Sequence, residues 1–229
     1  MKKQRIAVID TNEISILAER KALNRGKAIW FNTKLGANGF SCESCHESGM
    51  DTNAELYPRY KHILRTVATL SMTHNFAVVR ESKGKPWELG GEDANALALF
   101  VTSFANGKPM RMTEPKSIHK QWIARGDSIF HDVNLGTNQR SCAACHEPTK
   151  NKSREFAEAE KGPFLRGIAA RYPRYRHELG RVVTLEQQIN YCIETRQCGA
   201  PLALDSQQIV ALCCYLAHLS HGRKIAVAK

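Results

Sequence analysis

The sequence predicts a mainly α-helical protein of two tandem domains that are related by an internal duplication. A hexamer occurs twice, as SCESCH at residues 41–46 and as SCAACH at residues 141–146. The surrounding segments repeat as well, since residues 25–47 match residues 125–147. Apolar residues before each hexamer recur at helical spacing. Together these observations indicate two copies of one supersecondary unit, and 229 residues are enough for two small domains.

The second part of each copy repeats at a larger offset. YPRYKHILRTVATL at residues 57–70 matches YPRYRHELGRVVTL at residues 172–185. The second copy therefore has 15 extra residues, which lie in the polar segment PTKNKSREFAEAEKG at residues 148–162. A charged segment of this kind is typical of a surface excursion.

Helices are predicted at corresponding places in the two copies. Apolar periodicity predicts one helix before each hexamer and one at the end of each copy, where a glycine suits a helix C-terminus. The segments are residues 16–31, 117–130, 92–107 and 205–222. A further helix is predicted to begin at Thr184, because TLEQ is a capping box. Strand signals are weak throughout.

The join between the copies is predicted near the Pro-containing segment 110–116, which gives domains at residues 1–113 and 114–229. The net charge of +11 attracts anions. We do not expect nucleic-acid binding, because the chain has no long Lys/Arg block. We also expect no transmembrane segment, because no apolar run approaches about 18 residues, and no signal peptide is recognisable.

The repeated hexamer contains Cys-x-x-Cys-His, the attachment signature of c-type haem. Two cysteines one helical turn apart can form thioethers with the haem vinyl groups, and the adjacent histidine binds the iron. A redox dithiol would need a βαβ setting, and a zinc site would need a fourth ligand. The predicted attachment residues are Cys42, Cys45, His46, Cys142, Cys145 and His146. The sequence therefore predicts two covalently bound haem c groups in cytochrome-c-like domains, in the periplasm or another extracytoplasmic compartment.

The second iron needs a distal ligand that is not methionine, because no methionine follows residue 112. Histidine, lysine and cysteine are the remaining candidates. Cys192 lies four residues before Arg196, so both lie on one helix face, and the cation should lower the thiol pKa. The alternative is that Cys192 is a small buried hydrophobic residue.

The segment VVTLEQQINYCIETRQCGAPL at residues 182–202 resembles the distal-ligand segment of the thiosulfate-oxidising dihaem cytochromes. These include thiosulfate dehydrogenase and the haem-bearing A subunit of L-cysteine S-thiosulfotransferase. The resemblance implies that Cys192 ligates haem 2, that haem 2 is catalytic, and that Arg196 orients the substrate anion. Two positions depart from the family pattern: Thr195 replaces an arginine, and Cys198 stands where asparagine is frequent.

The sequence leaves two questions open: which cysteine pairs with Cys198, and which residue is the distal ligand of haem 1. Cys198 is expected to pair with one of two cysteines near the C-terminus, Cys213 or Cys214, in an oxidising compartment. In the first copy, Ala77 is equivalent to Cys192, so haem 1 needs a different distal ligand. His74, one turn earlier, is the first choice. The other candidates, in order, are Met72 and then Met110 or Met112.

The sequence favours electron transfer linked to oxidation of a sulfur anion such as thiosulfate at haem 2. Electrons would leave through haem 1 to a redox partner, either another cytochrome or an acceptor complex. The alternative is a non-catalytic carrier subunit of a larger respiratory complex. A weaker resemblance to dihaem cytochrome c peroxidases rests on IWFNTKLGANGFSCESCH at residues 29–46. A fixed Cys192 ligand argues against that chemistry.

Overall fold

The computed structural model describes residues 10–112, 116–147 and 165–228. The described part of the first copy contains α1, the hairpin β1–β2, α2 and α3. Their bounds are Thr11–Trp30, Arg59–Lys61, Thr66–Ala68, Leu70–Arg80 and Glu92–Ser103. The described part of the second copy contains α4, α5, the hairpin β3–β4, α6 and α7. Their bounds are Lys116–His131, Cys142–His146, Arg174–Arg176, Arg181–Val183, Leu185–Arg196 and Gln207–Leu219.

Apart from the short helix α5, the two copies have the same order of helices and strands, which confirms the prediction of two tandem, mainly helical units. In each copy the first long helix packs against the last one, α1 against α3 and α4 against α7. The polar segment predicted as a surface excursion, residues 148–162, lies outside the described residues. Residues 113–115 also lie outside them, so the predicted domain boundary stays a prediction.

The two hairpins are the main departure from the sequence-based expectation. In β1–β2, Arg59 pairs with Ala68 and Lys61 pairs with Thr66 in antiparallel register. Each strand is only three residues long, which is too short for an alternating apolar pattern to be recognised.

The ends of the last helices also differ slightly from the prediction. The helices α3 and α7 end before Gly107 and Gly222, which follow after a short turn with φ of 84° and 76°. The capping box is confirmed, because the backbone N–H of Thr184 donates to Gln187 Oε1 at 3.1 Å.

A glycine lies at the crossing of the paired helices in both copies. A Cβ added to Gly26 of α1 would overlap the backbone carbonyl of Ala96 on α3. A Cβ added to Gly126 of α4 would overlap the carbonyl of Ala211 on α7 in the same way. The lack of a side chain therefore allows these helices to approach closely, and this close approach recurs at equivalent points of the duplication.

Replacing Gly126 with alanine is expected to lower the free energy of unfolding by about 2–4 kcal/mol, because the backbone at the crossing must move apart. Urea unfolding of the holoprotein measures this loss. The control is Lys27→Ala, at an exposed position of α1. Equal stability of the two variants would contradict the close helix crossing.

The two copies share one interface, which fixes the two repeated motifs relative to each other. Glu19 Oε1 of α1 accepts the backbone N–H of Tyr175 on β3 at 2.8 Å. The ends of the copies also pair, since Met110 N donates to Arg223 O at 2.8 Å and Gly222 N donates to Met110 O at 2.9 Å. Trp30 and Leu97 of the first copy belong to the same buried cluster as residues of the second. The duplication therefore forms one continuous core.

Candidate haem sites

Each Cys-x-x-Cys-His hexamer forms a tight local turn. In the second copy it is the short helix α5, where Ser141 Oγ accepts the N–H of Ala144 at 3.2 Å. In the first copy, His46 N donates to Cys42 O at 3.0 Å. This helical geometry brings both cysteines and the histidine of each motif to the border of one cavity.

The first cavity is bordered by its motif, Cys42, Cys45 and His46, and by two residues of α2, His74 and Ala77. Its empty volume is about 1130 Å³. About 320 Å³ of this space is open to small molecules, which lies within the roughly 300–1,000 Å³ typical of small-molecule and cofactor sites.

The second cavity is bordered by Cys142, Cys145 and His146 and, from α6, by Cys192. Its empty volume is about 690 Å³. The structure thus brings Cys192, which lies almost fifty residues after the motif, to the same cavity as the predicted attachment residues.

The residues of both cavities fit a covalently bound porphyrin. Burial raises the pKa of the Cys42 and Cys142 thiols to about 11, so both thiols are protonated at neutral pH. A neutral, buried sulfur suits a thioether bond, which carries no charge. The aromatic rings of Trp30 and Phe130 are buried at the borders of the two cavities and give the apolar contacts that a macrocycle needs.

A carboxylate orients the histidine of the first motif. His46 Nδ1 lies 2.7 Å from Asp51 Oδ2, and both side chains border the same cavity. This hydrogen bond holds the proton on Nδ1 and leaves Nε2 as the metal-binding nitrogen. Sequence reasoning did not identify Asp51, although it follows His46 by only five residues.

The surroundings of Cys192 correct one expectation. Burial raises the pKa of this thiol and outweighs the opposite effects of Gln188, Arg176 and Arg196, so the predicted lowering by Arg196 does not prevail. Gln188 Nε2 lies 3.5 Å from Cys192 Sγ and donates to it. A metal ion deprotonates a thiol that coordinates it, so burial of the free thiol is compatible with ligation.

His74 has a nitrogen without a partner in the first cavity. Its Nδ1 is buried and makes no hydrogen bond with any residue that the structure describes. Burial and the nearby His46 lower the pKa of His74 to about 3, so the ring is neutral at physiological pH. A neutral imidazole is the form that ligates metals.

The methionines proposed for haem 1 lie elsewhere. Met72 packs against the buried cluster of Val67, Val210 and Cys214. Met110 is buried and borders a different cavity, between the two copies. Of the four candidates, all of which are described residues, His74 is the one that borders the first cavity.

Two arginines border the second cavity at positions where the first copy has no cation, although Arg59 and Lys61 border the first cavity elsewhere. Arg196 was expected there, and Arg140 was not. The equivalent residues of the first cavity are Glu81 and Phe40. The alignment of the two copies, which pairs Phe40 with Arg140, contained the signal that could have identified Arg140. The duplication has thus diverged toward positive charge at the second cavity.

The expected disulfide is not present in the structure. Cys198 is exposed, whereas Cys213 and Cys214 are buried in α7, and all three are free thiols. Both cysteines lie in the run of buried residues 209–217 of α7. This corrects the prediction that Cys198 pairs with Cys213 or Cys214.

Comparison with known protein families identifies the family to which the chain belongs. The profile described as "SoxA/TsdA, cytochrome c domain" matches residues 25–110 and again residues 125–225. The chain belongs to the SoxA/TsdA cytochrome c family. As a SoxA/TsdA cytochrome, it contains covalently bound haem c and transfers electrons in sulfur oxidation. The first resemblance suggested by the sequence is therefore confirmed.

Curated relatives agree with the SoxA/TsdA assignment. The chain is 25% identical over 207 residues to the L-cysteine S-thiosulfotransferase subunit SoxA of Pseudaminobacter salicylatoxidans, covering 89% of this chain and 70% of that protein. It is 35% identical over 105 residues to the thiosulfate dehydrogenase of Allochromatium vinosum, covering 44% of this chain and 38% of that enzyme.

A solved structure supports the SoxA/TsdA fold. The crystal structure of SoxXA from P. pantotrophus superposes with a TM-score of 0.78 at 19% identity, over 92% of this chain and 78% of that one. The match covers both copies, which confirms two tandem cytochrome-c-like domains. Among the described residues, no helix is long and apolar enough to cross a membrane.

Proposed function

We propose that this protein is a dihaem cytochrome in which a His/Cys-ligated haem 2 oxidises a small sulfur anion such as thiosulfate. One observation carries the proposal: Cys192 borders the same cavity as Cys142, Cys145 and His146. In this arrangement His146 and Cys192 would hold the iron of haem 2. Thiolate ligation lowers the reduction potential of a haem iron, and such a site differs from that of a simple electron carrier.

The residues around haem 2 bind and orient the anion. Bound haem c supplies reversible one-electron chemistry. Arg140 and Arg196 attract the sulfur anion and hold its oxygens by charge-assisted hydrogen bonds. Gln188 orients the sulfur of Cys192 through its amide N–H. Joining two thiosulfate dianions through a new S–S bond gives tetrathionate and releases two electrons, which two one-electron haem groups could take up.

The first cavity would hold haem 1, which would supply the route by which these electrons leave. The residues that would hold its iron are His46, oriented by Asp51, and His74. The acceptor is a redox partner protein, which is supported by relatives that are named as subunits. A periplasmic location is proposed on the same family likeness.

The second candidate function is that of a non-catalytic carrier subunit. It is favoured by Thr195, which stands where the resembling family has an arginine. Thr195 is exposed, and its hydroxyl donates to Tyr191 O at 2.6 Å, so it offers no charge to the anion. The carrier function needs both haems but no substrate site.

Thiosulfate-dependent reduction of ferricyanide by the purified holoprotein separates the two functions. The enzyme is expected to give turnover that saturates with thiosulfate concentration. A holoprotein with both haems attached and no turnover would instead support the carrier function. Mass spectrometry of the same sample, which should show two haems per chain, establishes that the cofactors are present.

Replacing Arg140 with glutamine is expected to raise the KM for thiosulfate about tenfold, because one charge-assisted hydrogen bond to the anion is lost. Steady-state kinetics at constant ionic strength measures the change. The control is Arg20→Gln, which removes an exposed cation of α1. An equal change of KM in both variants would show that only the overall charge matters.

A further inference from the structure

A cluster of four cations borders a cavity on the outside of the second copy, separate from both haem cavities. We call it the basic cavity; it is bordered by Arg166, Arg171, Arg223 and Lys224, together with Gly167 and Ala226. Its empty volume is about 1010 Å³. All four cationic side chains belong to exposed residues, so the charges face solvent.

The four cations have no counter-charge among the residues that the structure describes. No ion pair or side-chain hydrogen bond joins any of them to a described residue, and the lining contains no carboxylate. Like charges that share a small volume repel one another and destabilise the fold. A bound anion would remove this cost.

The first copy is an internal control for this cluster. At the offset of the duplication, the four positions correspond to Asp51, Leu56, Lys108 and Pro109. Lys108 is the one cation among them, and its Nζ lies 3.8 Å from Glu55 Oε1. One copy therefore has balanced charge at this place, whereas the other has gained three cations and no anion.

The backbone holds the basic cavity in place. Ala226 N donates to Ala170 O at 2.9 Å, and Arg223 O accepts from Met110 N at 2.8 Å. Gly167 has a φ of 89°, and a Cβ added there would lie 3.2 Å from Arg223 Cγ, so the loop packs closely on the arginine stem. The cations thus project from two paired segments and not from a single loop.

The basic cavity and the haem 2 cavity are lined by neighbouring residues of one segment. Leu165 and Ile168 border the haem 2 cavity, while Arg166 and Gly167 between them border the basic cavity. A dianion held here would raise the local concentration of anions near haem 2.

We infer that the basic cavity is a second binding site, for a small divalent oxyanion of the sulfate and thiosulfate class. Three guanidinium groups and one ammonium group match the charge and the acceptor oxygens of such an anion. The site binds the anion without any chemistry on it. Its connection with substrate supply rests on the proposed function, but anion binding itself does not.

The test uses sulfate as a redox-inert probe, titrated calorimetrically into the holoprotein at constant ionic strength. We expect saturable sulfate binding that the double variant Arg166→Gln/Arg223→Gln weakens at least about tenfold, whether or not a second sulfate binds at the haem 2 cavity. The control is Lys27→Gln/Lys34→Gln, which removes two exposed cations elsewhere and should leave binding unchanged. The ratio of Soret absorbance to protein should stay the same in all variants.

A further variant distinguishes sulfate binding at the basic cavity from sulfate binding at the haem 2 cavity. Arg140→Gln should retain the sulfate site, because it alters only the haem 2 cavity. Loss of sulfate binding in Arg140→Gln but not in Arg166→Gln/Arg223→Gln would overturn the inference, as would the absence of saturable binding to wild type. A loss of haem from Arg166→Gln/Arg223→Gln would overturn it too, because the cations would then serve the cofactor. None of these results depends on turnover, so failure of the proposed enzyme function is a separate outcome.

Discussion

Replacing Cys192 with methionine is expected to change haem 2 more than any other single substitution in the protein. The low-spin signal of a His/thiolate haem should disappear from the low-temperature electron paramagnetic resonance spectrum. The midpoint potential of haem 2 should rise by on the order of 0.1 V or more, because axial ligands shift haem potentials over about 0.8 V and a thioether withdraws charge from iron. Thiosulfate oxidation should fall to background.

Cys198→Ser is the matched control for this substitution. Cys198 lies on the same segment but is exposed and does not border the haem 2 cavity. Its substitution should leave the spectrum and the potential unchanged. A Cys192→Met protein with an unaltered resonance signal would show that sulfur of Cys192 does not bind the iron. Mass spectrometry should show both haems in each variant, since the proposed attachment residues of haem 2, Cys142 and Cys145, are unchanged.

Replacing His74 with alanine is expected to convert haem 1 from low spin to high spin. The substitution removes the one side chain with an unpartnered buried nitrogen at that cavity among the described residues. Imidazole added to the solution should restore the low-spin spectrum, because the space left by the ring can hold it. Optical spectroscopy of the reduced and oxidised protein measures both changes.

Met110→Leu and Met72→Leu are the controls for haem 1. Both methionines were candidates in the sequence, and both pack away from the first cavity. Neither substitution should change the spin state. A high-spin haem 1 in Met110→Leu together with an unchanged His74→Ala spectrum would reverse the assignment. Imidazole rescue distinguishes lost ligation from a general disturbance of α2, since a disordered helix would not be restored by a small ligand.

Short-range patterns in the sequence were sufficient to predict the attachment motifs. The spacing of Cys142, Cys145 and His146 is a local property, because the residues fall on one helical turn. The capping box at Thr184 is local for the same reason. The hairpins could not be predicted, because strands of three residues owe their pairing to the surrounding fold.

The surroundings of the iron ligands depended on contacts between distant segments. The burial that raises the pKa of Cys192 comes from packing of α6 in the second copy. The nearby Arg196 alone therefore did not predict the direction of the pKa shift. Arg176 acts on the same thiol from β3, in a different element from α6, which carries Cys192. Only the folded chain shows that these charges share one environment.

The sequence by itself determined that the protein is duplicated, is mainly helical and has two haem-attachment motifs. Repeats, periodicity and motif spacing depend only on the order of residues along the chain. The tertiary structure decided that His74, and not Met110, faces the first cavity. It also decided that Arg140 joins Arg196 at the second cavity and that Arg166 and Arg223 meet in a cluster. The reason is that cavities form between segments far apart in sequence, where helix packing alone sets which side chains face each other.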